Sequence, residues 1–109
     1  MGFVYLILEV SSSGNESHKI GISKNDPTKR VKQLQTGNSN KLSLLTYYES
    51  KTYKEVESWL HSRYSRYKTL ADNEWFILPD EVVQSFLSTC QKVDETINLL
   101  RESKTLILV

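Results

Sequence analysis

Phe3-Val4-Tyr5-Leu6-Ile7-Leu8-Glu9-Val10 is an apolar run, unbroken from Phe3 to Leu8, with β-branched residues at Val4, Ile7 and Val10. A run of this kind, followed by turn composition, reads as a strand covered on both faces, because a strand with one wet face would alternate. Residues 11–17 (SSSGNES) form a turn or loop. Lys19-Ile20-Gly21-Ile22-Ser23 then alternates and reads as the second strand of a hairpin. Its Gly21 is unusual inside a strand and marks the close approach of another backbone or a ligand.

Outward from the hairpin, Asp26-Pro27 is a helix start, with Asp as cap and Pro at the first position. The helix is expected to run to about Gln35 and to stop at Gly37. Residues 41–49 (KLSLLTYYE) read as a third strand. Residues 53–68 read as a helix with Tyr53, Val56, Leu60, Tyr64 and Tyr67 at helical spacing. Glu74-Trp75-Phe76-Ile77-Leu78 is short and extended, and Pro79-Asp80 opens a long last helix. That helix buries Val83, Phe86, Cys90, Val93, Ile97 and Leu100, and residues 105–109 read as a strand-like apolar tail. The order β-β-α-β-α-β-α predicts one small α/β (α+β) domain over residues 1–109, a short antiparallel sheet with helices packed on it.

Composition narrows the function classes. The chain has 109 residues, the size of one domain, and is 39% hydrophobic, as expected of a globular protein. Its net charge is +1, so no global field draws it to nucleic acid. One cysteine and two histidines exclude an internal disulfide, a cysteine zinc site and a histidine cage. No apolar run approaches the ~20 residues of a membrane span, and residues 3–10 are too short, and carry Glu9, for a secretory signal. The expected compartment is the cytoplasm.

Five chemistry-bearing side chains stand on these elements. Tyr5 is on the first strand, Lys19 on the second and Arg30 on the first helix. Glu57 and His61 are four residues apart and share a face of the second helix. Each has a plain structural reading: a core aromatic, a solvated arginine, a surface pair. Cys90, within an apolar stripe, reads as an inert core thiol. Eight of the eleven aromatics fall between Tyr47 and Phe76 and read first as core, with base stacking as the other use. Residues 19–41 hold Lys19, Lys24, Lys29, Arg30, Lys32 and Lys41 against Asp26 alone, a local excess of five positive charges. That is either a solvated helix face or a surface for a phosphate backbone.

In order, these pieces resemble the GIY-YIG nuclease superfamily, in particular its small phage and viral branch. Phe3-Val4-Tyr5 stands where that family has Gly-Ile-Tyr, and Lys19-Ile20-Gly21 where it has Tyr-Ile-Gly. The stretch from Thr28 to Gly37 resembles the Arg-bearing helix with its LQTG ending, Glu57-Ser58-Trp59-Leu60-His61 the E-x-x-L-H helix, and Glu74-Trp75-Phe76 the EWF segment. The likeness covers about residues 3–80, leaving residues 80–109 as a C-terminal helix and tail. It implies a central three-stranded antiparallel sheet flanked by helices, and metal-dependent cleavage of DNA with one Mg²⁺ or Mn²⁺.

Carried over by position, the resemblance makes Glu57 the metal ligand, Tyr5 the group that orients or deprotonates the attacking water, and Arg30 the clamp on the scissile phosphate. Gly21 and Glu74 support the site, and Lys24, Lys29, Lys32 and Lys41 contact DNA. His61 is a general base or a phosphate contact. Lys19 departs from the family's usual tyrosine. A phenol is a weak base at neutral pH unless a metal or cation stands beside it, and Lys19 can be that cation or contact phosphate itself. The departure leaves a second expectation open, a weak or inactive copy that binds nucleic acid. A third is an interaction module, for example a phage-encoded regulator with a protein partner, or a homodimer paired through residues 105–109. The implied setting is the cytoplasm of a bacterial or virus-infected host cell.

Overall fold

The computed structural model describes residues 1–69 and 75–108, with side chains to residue 102. Its first strand, β1 (Gly2–Val10), turns back through a loop whose Gly14 sits at φ +86° into β2 (Glu16–Ser23). Then come α1 (Pro27–Gln35), β3 (Lys41–Ser50), α2 (Tyr53–Arg63), β4 (Trp75–Phe76), α3 (Asp80–Gln84) and α4 (Phe86–Leu108). The sheet is antiparallel with order β3-β1-β2-β4, so the expected three-stranded core gains a fourth strand of two residues.

β1 is covered on both faces, as its unbroken apolar run requires: Val4, Tyr5, Leu6 and Ile7 are all buried. Alternation then sorts its side chains into two cores. Val4 and Leu6 join Ile20, Val56, Leu60, Phe76, Phe86 and Cys90 under α2 and α4. Tyr5 and Ile7 join Leu42 under Val31 and Leu34 of α1. The start of α1 is set by the Asp26 side chain, which accepts the Thr28 N–H at 2.9 Å, and by Pro27. Its end is followed by Gly37 at φ +78°.

Three expectations are corrected. The helix expected over 53–68 leaves α-geometry after Arg63 and continues as a 3₁₀ turn, Ser65–Tyr67. The backbone there is needed elsewhere: Ile77 donates to the Tyr67 carbonyl at 2.8 Å, and Thr69 donates to that of Trp75 at 2.9 Å. The last helix is divided at Ser85, whose hydroxyl donates to the carbonyls of Glu81 (2.8 Å) and Val82 (3.3 Å) in competition with the helix bonds. Residues 105–108 continue α4 and are not a strand. Extending a formed helix by one residue costs far less than starting a new element, and no Gly or Pro stops this one. Of the expected stripe, Phe86, Cys90, Val93 and Ile97 are buried and Val83 packs partly against them, but Leu100 is 56% exposed at the rim of a groove between α4 and Glu55 and Trp59 of α2. Burial pushes the Cys90 thiol up to about 12, in keeping with an inert core thiol. No described helix is long and apolar enough to cross a membrane.

One polar cluster ties α4 to the sheet. Asp94 accepts from Thr52 Oγ1 (2.5 Å), Tyr48 Oη (2.7 Å), Ser50 Oγ (3.0 Å) and Asn98 Nδ2 (3.4 Å). Burial alone would raise this carboxyl, but the bonds from Thr52, Tyr48, Ser50 and Asn98 outweigh it and hold the group below its ordinary value. Asp94→Ala leaves the hydroxyls of Ser50 and Thr52 buried without their acceptor, and a loss of about 2 kcal/mol in urea denaturation at pH 7 is expected. A folded-state value below the unfolded one of about 3.9 means that Asp94 stabilises above that pH, and that the contribution fades as pH falls through the folded value. The wild-type advantage over Asp94→Ala should therefore shrink as pH falls below about 4; an advantage that stays constant through acid titration would show that the carboxylate is not the stabilising form.

Candidate active site

The second core has a hole in it. Tyr5 and Gly21 are direct partners across β1 and β2, and a Cβ built on Gly21 would lie 2.5 Å from Tyr5 Cζ. The phenol therefore crosses β2 through the space that any other residue would fill, which is the close approach marked by a glycine inside a strand. Two residues back on the same face, Lys19 Nζ lies 5.6 Å from the centroid of the Trp75 ring, a cation–π contact that orders its flexible stem.

The edge of β2 contributes the rest. Among the described residues β4 pairs with His18 and Lys19, and Ile20 is the next position along that edge. His61 Nε2 lies 2.8 Å from the Ile20 carbonyl. A carbonyl can only accept, so Nε2 carries the hydrogen, and in the neutral ring Nδ1 holds the lone pair. An edge-on contact with Phe76 (5.0 Å between centroids, 84° between planes) fixes the ring from below. Glu57 stands one helical turn before His61 on the same face of α2.

Tyr5, Lys19, Arg30, Glu57 and His61 line one cleft of about 320 Å³, with Ile20, Gly21 and Ile22 as its wall. Four separate elements thus bring together five of the side chains singled out in the sequence. Arg30 reaches it from the exposed side of α1, with Nη1 3.5 Å from Gln33 Oε1. Lys24, Lys29 and Lys32 are exposed just before and along α1. Lys41 is not beside them: it pairs with Val10, five residues along β1 from Tyr5, so about 17 Å of strand separates it from the cleft. Glu74 lies outside the described residues. The other histidine, His18, is buried in β2, where its Nδ1 accepts the Leu78 N–H at 3.4 Å and burial lowers its pKa; it plays no part in the cleft.

Among the described residues no three His, Cys, Asp or Glu side chains gather as a metal cage. Among the described residues Glu57 is the carboxylate lining the cleft. That donor set fits a hard divalent ion that keeps most of its waters and takes further oxygens from a phosphate, and does not fit a structural zinc. The Lys19–Trp75 contact had no signal in the sequence, since the two residues are 56 positions apart and meet only because β4 pairs with β2.

The chain belongs to the T5orf172 domain family, whose model matches residues 2–97. This is a phage-derived domain linked to nuclease-like folds and DNA-related function. No curated protein and no solved structure gives a significant match.

Gly21→Ala should displace the Tyr5 ring and destabilise the fold by about 1–3 kcal/mol. In a Tyr5→Leu background, where no ring crosses the glycine, the same change should cost measurably less. Equal costs in the two backgrounds would disprove the steric coupling.

Proposed function

We propose that this member of the T5orf172 family is an endonuclease of GIY-YIG type that hydrolyses DNA phosphodiester bonds with one Mg²⁺ or Mn²⁺. The observation that carries the reading is the convergence of a phenol, an amine, a guanidinium, a carboxylate and an imidazole on one cleft. Phosphoryl transfer calls for charge neutralisation and positioning more than for covalent help. Among its described residues the cleft offers the cations Lys19 and Arg30 and the carboxylate Glu57, which suit a phosphate and its metal together.

Each residue then has a role set by its placement. Arg30, on the exposed side, presents its fork to two non-bridging oxygens of the scissile phosphate. Lys19, held over Trp75, is the second positive charge and stands where the resembling family has tyrosine. Tyr5 positions the attacking water through its hydroxyl, and His61 Nδ1 accepts that water's proton. The imidazolium so formed keeps its Nε2–H on the Ile20 carbonyl, whose negative end stabilises the new charge. Glu57 would hold the divalent ion, which when bound supplies Lewis-acid charge neutralisation at the phosphate. Lys24, Lys29 and Lys32 would follow the DNA backbone along α1.

Lys19 also favours a second reading, in which the cleft holds DNA and cuts it weakly or not at all. Plasmid nicking with Mg²⁺ or Mn²⁺, beside an EDTA control, separates the two. Glu57→Ala should abolish metal-dependent nicking with the fold intact, and Arg30→Ala should slow it about 10²–10³-fold. Wild-type nicking by Glu57→Ala would remove that residue from the metal. No nicking with either metal, together with DNA binding that weakens steeply with salt, would favour the second reading.

A further inference from the structure

Beside the cleft the sheet carries two aromatic rings outside both hydrophobic cores. Phe3 and Tyr47 form an edge-to-face pair, 5.6 Å between centroids and 78° between planes. Tyr47 is 49% exposed, and Phe3 is partly exposed. Both lie on the Tyr5 face of the sheet, since odd positions of β1 share that face and Tyr47 is the direct partner of Tyr5. α1 covers that face over Tyr5, Ile7, Leu42 and Leu44, and neither Phe3 nor Tyr47 belongs to that cluster.

We propose that Phe3 and Tyr47 are a stacking platform for an unpaired nucleobase, so that the DNA taken by the cleft carries an unstacked nucleotide beside the scissile phosphate. The inference rests on the nuclease reading and names its substrate class. Its first support is continuity. Cross-strand neighbours stand about 4.5–5.5 Å apart at Cβ, so a strand whose phosphate meets Arg30 and Lys19 beside Tyr5 brings an adjoining base over Tyr47. Its second support is complementarity: cations for the backbone beside aromatic faces for the bases is how single strands are held without sequence readout. In an intact duplex the base faces are stacked on one another, and a flat sheet surface cannot reach them. A mismatched, bulged or single-stranded base costs least to present.

Two oligonucleotides of the same sequence test this, one fully paired and one with a single bulged 2-aminopurine. Binding is read in EDTA by competition and by 2-aminopurine fluorescence, and cleavage is read separately with Mg²⁺. Wild type should prefer the bulged DNA and quench the 2-aminopurine. Tyr47→Ala should lose the preference by about tenfold, and Tyr47→Trp, which keeps a stacking face, should retain it. Equal binding of both DNAs by wild type, or a preference that survives Tyr47→Ala, overturns the platform; if paired DNA is still cleaved, the nuclease reading stands and the patch becomes a candidate protein contact. Failure to bind or cleave either DNA overturns both.

Discussion

The double burial of β1 is the constraint from which the rest of the architecture follows. A strand whose Val4, Tyr5, Leu6 and Ile7 are all inaccessible must have strands on both edges and helices on both faces. Alternation along it then divides the protein into two cores that share no side chains. The larger, under α2 and α4, contains most of the buried apolar residues. The smaller, under the nine-residue α1, is only partly closed. Tyr5 belongs to the smaller one, so its ring can be buried along its length and still present a polar end to a cleft. A residue one place earlier or later would point into the larger core and could not do this.

The cleft also depends on how the edge of β2 is completed. Among the described residues, β4 pairs with β2 at His18 and Lys19, and the Ile20 carbonyl next to them meets a side chain of α2. A buried or half-buried carbonyl needs a donor, and His61 supplies it from α2. The same bond that completes the edge sets the tautomer of a histidine in the cleft. Structural satisfaction and chemical orientation are here one interaction.

What was legible in the sequence follows from how local its cause is. The first strand, the hairpin, the Asp26-Pro27 start and the Gly37 stop are written in residues next to one another and appear as expected, except that β2 begins at Glu16, inside the stretch read as loop. Glu57 and His61 could be placed together because four residues make one helical turn. Gly21 was legible as a close approach, but not the identity of the ring, since Tyr5 reaches it through strand pairing. The end of α2 was not legible, because the backbone just after it is tied by hydrogen bonds to Trp75 and Ile77, six to ten positions from their partners in the chain. Nor was the helical run of 105–108, whose β-favouring composition yields to continuation of the helix before it. Tyr47 and Tyr48 show the same limit most plainly. Adjacent and identical, they go to opposite faces, one into hydrogen bonding with Asp94 and one toward solvent.

That division bears on how the site can vary without loss of the fold. The Asp94 cluster, the Cys90 core and the α2–α4 packing all lie on one side of the sheet, whereas Lys19, Arg30 and the Phe3–Tyr47 pair lie on the other or at its rim. Substitutions among the latter change charge and ring area at partly exposed positions, where costs are usually within about 0.5 kcal/mol. Tyr5 and Gly21 are the exception, because the ring fills the second core and the glycine admits the ring. These two are tied to the fold whatever the cleft does, so retention of Tyr5 is poor evidence of activity in any protein with this architecture. Lys19, Arg30 and Glu57 carry no comparable packing duty. They are the positions at which an active cleft and an inactive one would differ.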